Sequence, residues 1–197
     1  MRNLARSIVL LLALGLSEPV LAGQLEDADA AYYKQDYATA LRLLRPLADQ
    51  GDAWAQNSLG VMYRNGQGVP KDDAQAVKWY RLAADQGDAW AQIMLGVMYR
   101  NGQGVPKDDA QAVKWYRLAA DQGNASAQSL LGAMYASGQG VPKDYALAYM
   151  WWNLAAAGAP DADIRERAVK PRDALASMMT PAQVAKAQRM SREWQPK

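Results

Sequence analysis

Carboxylates are the main groups in this sequence that could do acid–base chemistry, because the chain contains no histidine. It also contains no cysteine, so the usual general base, two common metal ligands and every triad built on histidine are missing. Asp72, Asp73 and Asp85 recur at a fixed spacing, where the starts and ends of helices explain them better than paired catalytic carboxylates do. We therefore predict a protein that is not an enzyme and carries no metal or cofactor.

Glycine-rich segments could also do chemistry, since successive backbone N–H groups can cradle a phosphate. Gly66-Gln67-Gly68 is the first of three such segments in the chain. No Lys-Ser or Lys-Thr pair follows it, and the carboxyl end of a predicted helix precedes it, which is the end that repels an anion. We interpret these segments as turns between helices.

These features belong to an internal repeat that organises the chain. Residues 51–86 are repeated by residues 87–122 with only two changes, from Asn57 to Ile93 and from Ser58 to Met94. A third, more divergent copy follows over residues 123–158. A fixed period of 36 residues is the signature of a solenoid, in which each unit buries its apolar face against its neighbours.

Each repeat is predicted to hold two helices. In the first repeat, helix A runs from about Ala53 to Asn65 and ends at Gly66, and helix B runs over residues 73–86 behind the capping residue Asp72. A glycine in the middle of helix A costs up to about 1 kcal/mol relative to alanine, so we expect a close approach of a neighbouring helix there. These glycines are Gly60, Gly96 and Gly132.

Residues 1–22 have the pattern of a secretory signal peptide, with two arginines, an apolar run and a small-residue cleavage site that ends at Ala22. The alternative is an uncleaved membrane anchor, which Glu18 and Pro19 disfavour because they interrupt the apolar run. Cleavage after Ala22 would remove two of the 22 basic and one of the 20 acidic residues, which leaves the mature chain with a net charge of +1. Such a surface has no electrostatic footprint for nucleic acid.

The segments that flank the repeats complete the predicted domain organisation. Residues 23–50 form a divergent amino-terminal repeat that starts loosely over residues 24–28 before its helical pair. Residues 159–197 form carboxy-terminal capping helices. We predict a polar helix over residues 161–169 that stops before Pro171, and a last helix that starts with a capping box at Thr180.

The repeats resemble those of the Sel1-like repeat family, relatives of the tetratricopeptide repeat proteins. In the first repeat the shared positions are Ala55, Leu59-Gly60, Tyr63, Gly66, Gly68-Val69, Asp72, Ala76, Trp79-Tyr80, Ala83-Ala84 and Gly87. The second repeat carries them all 36 residues later, whereas in the third we align Trp152 with the first aromatic, so that Asn153 replaces the second.

The resemblance implies an all-α fold, a right-handed superhelical α-solenoid of antiparallel helix pairs with a carboxy-terminal capping helix. It also implies an adaptor that binds other proteins, often in the bacterial envelope. Some cysteine-rich members bind or hydrolyse β-lactams, but they need a disulfide in each repeat, which this chain cannot form. Other exported members neutralise toxic enzymes, so an inhibitory or immunity-type role is one form that the adaptor hypothesis takes.

The predicted site lies on the arc of helix A that faces away from the family positions. At about 100° per residue, both differences between the first two repeats fall on this arc. Helices A of such solenoids line the concave surface, so an apolar row there predicts a groove for a protein partner, with two tryptophans as anchors and two arginines at the rim. The predicted residues are Trp54, Asn57, Ser58, Val61, Arg64, Trp90, Ile93, Met94, Val97, Arg100 and Leu130.

Two alternatives stay open at this point. The side chains at positions 58, 94 and 130 could be partly buried between neighbouring helices, and both tryptophans could fold back on the preceding turn. The aromatics of helix B share one register, which favours a core over a carbohydrate platform. They are Trp79, Tyr80, Trp115, Tyr116 and Trp152. A cell-wall glycan or glycopeptide binding module that uses tryptophan columns is the second functional hypothesis.

The sequence therefore predicts a periplasmic, monomeric adaptor without a stable membrane anchor. Its partner is a protein of unknown identity, which it binds through the concave face of the repeats.

Overall fold

The structure is a computed structural model that describes the backbone of residues 18–197 and the side chains of residues 23–197. Most of the predicted signal peptide lies outside the described residues, so its assignment stays a prediction. The described residues form ten helices and no strand. They are α1 Glu18–Tyr33, α2 Tyr37–Asp49, α3 Ala53–Asn65, α4 Asp73–Asp85, α5 Ala89–Asn101, α6 Asp109–Asp121, α7 Ala125–Ser137, α8 Tyr145–Gly158, α9 Ala162–Ala176 and α10 Pro181–Glu193.

The helices pack in series, each against its neighbours along the chain, from α1 to α8. The first helix of each pair (α1, α3, α5 and α7) is an A helix, and the second (α2, α4, α6 and α8) is a B helix. Buried apolar side chains of successive pairs form clusters that run along the stack. This arrangement confirms the predicted all-α solenoid of helix pairs.

Local signals set the ends of the repeated helices. The carboxylate of Asp52 accepts a 2.7 Å hydrogen bond from the backbone N–H of Ala55 at the start of α3, and Asp72 caps α4 in the same way. Gly66 ends α3 in the left-handed conformation, with φ of 70°. Asp52 and Asp72 are therefore caps, as are their counterparts in the second repeat, and the glycine-rich segments are turns.

The mid-helix glycines make room for an aromatic ring of the paired B helix. A Cβ atom on Gly60 would lie 2.6 Å from the Tyr80 ring, and one on Gly132 would lie 2.8 Å from the Trp152 ring. The predicted close approach is confirmed, and its cause is a side chain that lies across the A helix. Trp152 thus takes the position of Tyr80, which corrects the alignment of the third repeat that paired it with Trp79. Trp151 is the counterpart of Trp79.

The buried Tyr80 hydroxyl makes the stability of the protein sensitive to alkali. It makes no hydrogen bond of good geometry with the described residues. Its burial raises the pKa of Tyr80 to about 12, even though the charge and the polar contact of the Arg64 guanidinium oppose the shift. An unfolded tyrosine ionises near pH 10, so the folded chain holds this proton longer. The stability that the raised pKa of Tyr80 contributes is fully present below about pH 10 and is lost as the pH rises towards about 12.

We expect Tyr80→Phe to reduce this alkaline loss of stability, because the phenylalanine ring has no proton to release on unfolding. At pH 7 the variant should differ in stability from the parent by less than about 1 kcal/mol, since the hydroxyl makes no hydrogen bond of good geometry. Urea unfolding at pH 7 and pH 11 measures both effects. The control is Tyr33→Phe at an exposed tyrosine, and an equal response of the two variants would contradict the prediction.

Glutamines form a buried ladder that the sequence did not reveal. The Gln56 side chain donates a 3.0 Å hydrogen bond from Nε2 to the Ala48 carbonyl oxygen at the end of α2. Gln86 in turn donates to Gln56 Oε1 over 2.8 Å, and Gln92 repeats the first contact on the Ala84 carbonyl. The ladder satisfies carbonyl groups at the ends of B helices and joins successive pairs.

Two features of the termini differ from the prediction. Residues 24–28 belong to α1 and are not a loose start, because Ala28 and Ala31 pack with Leu44 in a buried cluster. Pro171 lies inside α9 and does not end it, since buried residues on both sides of it hold the helix against the preceding repeat.

The carboxy-terminal helices cover the end of the stack. α10 begins with the predicted capping box at Thr180, and both α9 and α10 pack against α8. Behind α10, the Trp194 ring meets the Trp151 ring edge-on at 6.1 Å, and the Lys197 backbone N–H donates to the Asp121 carbonyl. Within residues 18–197, every helix is too short or too polar to cross a bilayer.

Candidate partner-binding site on the A helices

We call the outward arcs of α1, α3, α5 and α7 the A-helix face. Asp52 and Asp88 cap α3 and α5 identically, so these two helices present equivalent positions in the same register. Trp54 is 38% exposed and Trp90 is 51% exposed, which makes them two of the most exposed large apolar side chains in residues 23–197. A pair of exposed tryptophans at one register is typical of a binding surface.

One predicted site residue does not reach this surface. Ile93 is only 3% exposed, so the expectation that it faces a partner is wrong. It belongs to the apolar cluster that joins the second and third repeats. The helical wheel places it at the edge of the outward arc, and this edge is buried.

The other predicted residues range from half-buried to exposed. Met94 packs against the clusters on both sides of it, and Arg64 Nη1 lies 3.3 Å from the Met94 Sδ atom. The side chains at positions 58, 94 and 130 are therefore partly buried, as the first alternative predicted. Both tryptophans, by contrast, are exposed to solvent. The half-buried residues are Asn57, Ser58, Val61, Arg64, Met94, Val97 and Leu130, and Arg100 is exposed.

A pocket of about 180 Å³ opens where α1, α2 and α3 meet. The structure brings the predicted residues Trp54, Ser58 and Val61 together in its wall. Four further residues complete it, and the sequence did not indicate them because their placement depends on how α1 packs. They are Asp29, Tyr32, Tyr33 and Leu44.

The pocket exists because the first pair of helices lacks the ring that fills the later pairs. Leu44 of α2 lies 36 residues before Tyr80 of α4, so a smaller side chain stands where Tyr80 packs across α3. Across the pocket, Ser58 is also smaller than Met94, its counterpart in the second repeat. Both differences leave open space at this interface.

Hydrogen bonds fix one wall of the pocket. The Tyr32 hydroxyl donates to Gln67 Oε1 over 3.0 Å, and Gln67 Nε2 donates to the Tyr37 hydroxyl over 3.1 Å. The Tyr32 ring also meets the Tyr37 ring edge-on at 5.5 Å. By contrast, Tyr33 at the rim is 82% exposed. The pocket therefore has one preorganised aromatic wall and one aromatic side chain that can adapt.

The aromatics of the B helices belong to the core. Trp79 is buried, and the Arg45 guanidinium lies 5.2 Å from the centre of its ring. Arg81 covers Trp115 and Arg117 covers Trp151 at similar distances. These rings are thus not an open platform for a sugar, and the interpretation of helix B aromatics as core is confirmed. Among residues 23–197, no three acidic side chains come together in a way that could hold a metal ion.

A stack of helix pairs with two exposed tryptophans and a small pocket on its A helices defines an α-solenoid. The family model for the Sel1 repeat matches four stretches that together cover more than half of the chain, residues 26–52, 55–88, 91–124 and 125–159. The chain belongs to the Sel1 repeat family. Proteins of this family are generally protein-interaction scaffolds and typically non-catalytic.

The solved structures that are similar to the chain include the following two. A Sel1 repeat protein from Oxalobacter formigenes is 35% identical, with 76% of this chain and 57% of that chain covered and a TM-score of 0.69. The protective antigen c5321 of uropathogenic Escherichia coli strains, which displays an SLR fold, is 29% identical, with 98% and 44% covered and a TM-score of 0.73. The chain spans about half the length of these two relatives. No curated protein matches it.

Proposed function

We propose that the protein is an exported, non-catalytic scaffold that binds a protein partner through its A-helix face. The observation that carries the proposal is the pair of exposed tryptophans, Trp54 and Trp90, at one register of adjacent A helices beside the pocket. Exposed aromatic anchors next to a pocket are the features that dominate binding energy in protein interfaces. A role as an inhibitor or immunity-type protein is included in this proposal.

Export is the second part of the proposal, and it rests on residues 1–22 alone. The arginines, the apolar run and the small residues before Gly23 are typical of a cleaved leader. Amino-terminal sequencing of the protein from the periplasmic fraction tests this part. A first residue near position 23 would support it, and recovery of the uncleaved chain from the cytoplasm would refute it.

The double variant Trp54→Ser/Trp90→Ser should weaken partner binding by about 100-fold or more, because each anchor contributes on the order of 2 kcal/mol. The partner is first identified by cross-linking and mass spectrometry in the cell that makes the protein. Its affinity for the purified parent and variant is then measured by calorimetry.

The matched control is Leu82→Ser/Leu118→Ser, which removes two apolar side chains of comparable exposure, 48% and 41%, from the B helices. It should leave the affinity within about threefold of the parent, a change below 1 kcal/mol. Equal losses in the two double variants would place binding elsewhere and would reject the A-helix face.

The two exposed tryptophan rings also favour a second candidate, a module that binds cell-wall glycan or glycopeptide. In that case soluble wall fragments should quench the fluorescence of the parent and not that of the Trp54→Ser/Trp90→Ser variant. Absence of quenching in the parent would remove this candidate.

A further inference from the structure

The repeats supply an internal comparison for the pocket between α1 and α3. At the α3–α5 interface the Arg64 guanidinium lies against Met94, and its positive charge acts on the Tyr80 hydroxyl. At the next interface Arg100 acts on Tyr116 in the same way. Each of these later interfaces therefore contains a cation supplied by the protein itself.

The turn after each A helix shows which residues of α1 correspond to which residues of α3. The backbone N–H of Asp36 donates to the Ala31 carbonyl, as that of Gln67 donates to the Met62 carbonyl. Gln35 has φ of 61°, close to the 70° of Gly66. Counted back from these matching turns, Tyr33 takes the position of Arg64, and Asp29 takes the position of Gly60.

The interface between α1 and α3 thus has a negative charge where the α3–α5 and α5–α7 interfaces have a positive one. It lacks the arginine, because Tyr33 stands in its place, and it gains the carboxylate of Asp29. Within the side chains that the structure describes, no lysine or arginine nitrogen lies within 4.0 Å of that carboxylate. Partial burial without a cationic partner raises the pKa of the Asp29 carboxyl above its ordinary value.

The walls of the pocket also suit a cation. Tyr32, Tyr33 and Trp54 line the same pocket as Asp29. The face of an aromatic ring attracts a guanidinium or an ammonium group within about 6 Å of its centre. The volume of about 180 Å³ is smaller than the roughly 300–1,000 Å³ of sites for whole small molecules. One long side chain fits such a space better than a complete ligand does.

We propose that this pocket binds an arginine or lysine side chain of the protein partner, between Asp29 and the rings of Tyr32, Tyr33 and Trp54. The inference rests on the proposed function and adds the chemistry of the partner. A partner segment that carries a basic residue flanked by apolar residues would place the cation in the pocket and the apolar residues along the row towards Trp90.

The probe is a blocked pentapeptide with one central arginine and apolar neighbours, compared with the same peptide in which citrulline replaces arginine. Citrulline keeps the shape of the side chain and removes its charge. We expect the arginine peptide to shift the indole NMR signal of Trp54 with a millimolar or lower dissociation constant. The citrulline peptide should bind about tenfold more weakly or not at all.

Asp29→Asn removes the charge of the pocket at constant size, and we expect it to abolish the preference for arginine over citrulline. Asp85→Asn, at an exposed carboxylate outside the pocket, should leave the preference unchanged. Ser58→Met copies the second repeat into the pocket and should exclude both peptides. Thermal unfolding of each variant checks that it is folded.

Equal binding of the two peptides to the parent, no binding of either, or an unchanged preference in folded Asp29→Asn would overturn the inference. The proposed function is judged separately, by the response of the cross-linked partner to Trp54→Ser/Trp90→Ser. A partner whose affinity depends on the tryptophans but is the same for Asp29→Asn would leave the scaffold function standing and remove the cation pocket.

Discussion

Replacement of Gly104 by alanine should cost at least about 3 kcal/mol of stability, one of the largest losses expected for any single substitution in this chain. Gly104 lies in the turn after α5 with φ of +68°, a conformation that alone costs an L-residue roughly 1–2 kcal/mol. An added Cβ atom would also lie 2.2 Å from the Asp73 carbonyl oxygen and 2.7 Å from the Ala74 nitrogen. These are backbone atoms at the start of α4, so no side chain can rotate away.

Gly87→Ala provides the matched control for this prediction. Gly87 also has a positive φ, +95°, but an added Cβ atom would meet nothing within 4 Å. Its substitution therefore reports the backbone cost alone, and we expect a loss of about 1–2 kcal/mol. Urea unfolding of both variants measures the difference. Equal losses would mean that the turn does not press against the preceding repeat.

The packing of Gly104 shows why local signals were sufficient to predict the repeated helices. The turns that follow α3, α5 and α7 rest on the start of the preceding B helix, so one conformation recurs in the three full repeats. Caps and left-handed glycines specify that conformation within a few residues of sequence. The predicted bounds of the helix from Ala53 to Asn65 are accordingly those of α3.

The errors fall where long-range packing decides the outcome. Residues 24–28 of α1 are helical because the helix is held by contacts with α2. Proline normally ends a helix, and Pro171 was therefore predicted to end α9. The helix continues through Pro171 because α9 packs against α8. The wheel placed Ile93 on the open arc although it is buried, since the period of a single helix does not show how much of its flank its neighbours cover.

The candidate site could be predicted only in part for the same reason. Trp54, Ser58 and Val61 could be predicted, because the helical period of α3 alone places them on its outward arc. The residues of α1 could not be paired with them, because a short turn replaces the glycine-rich one and shifts α1 out of the 36-residue register. The pocket is therefore a property of the one helix pair that departs from the repeat.

That departure supplies a test of how A and B helices fit together. In α1 and α2 the chain already combines a residue that has a Cβ atom, Asp29, with a leucine in place of the aromatic ring. The second full repeat has the opposite combination, in which a Cβ atom on Gly96 would lie 2.5 Å from the Tyr116 ring. The two combinations are alternative ways to fill the same space.

Gly96→Ala should therefore destabilise the protein by about 1–3 kcal/mol, as overpacking of a buried site does. Tyr116→Leu alone should cost about 2 kcal/mol, because it leaves a cavity beside the glycine. The double variant restores the combination found in α1 and α2, so its loss should be smaller than the sum of the two by at least about 1 kcal/mol. Urea unfolding of the four proteins gives this coupling energy.

Gly96→Ala/Trp152→Leu is the control cycle, because Trp152 packs on Gly132 of a different helix pair. Its two losses should add to within about 0.5 kcal/mol. If the losses of Gly96→Ala and Tyr116→Leu were as additive as those of the control cycle, the Tyr116 ring would not be the reason that position 96 requires glycine. The pocket beside Asp29 would then need another cause than the absence of a ring at Leu44.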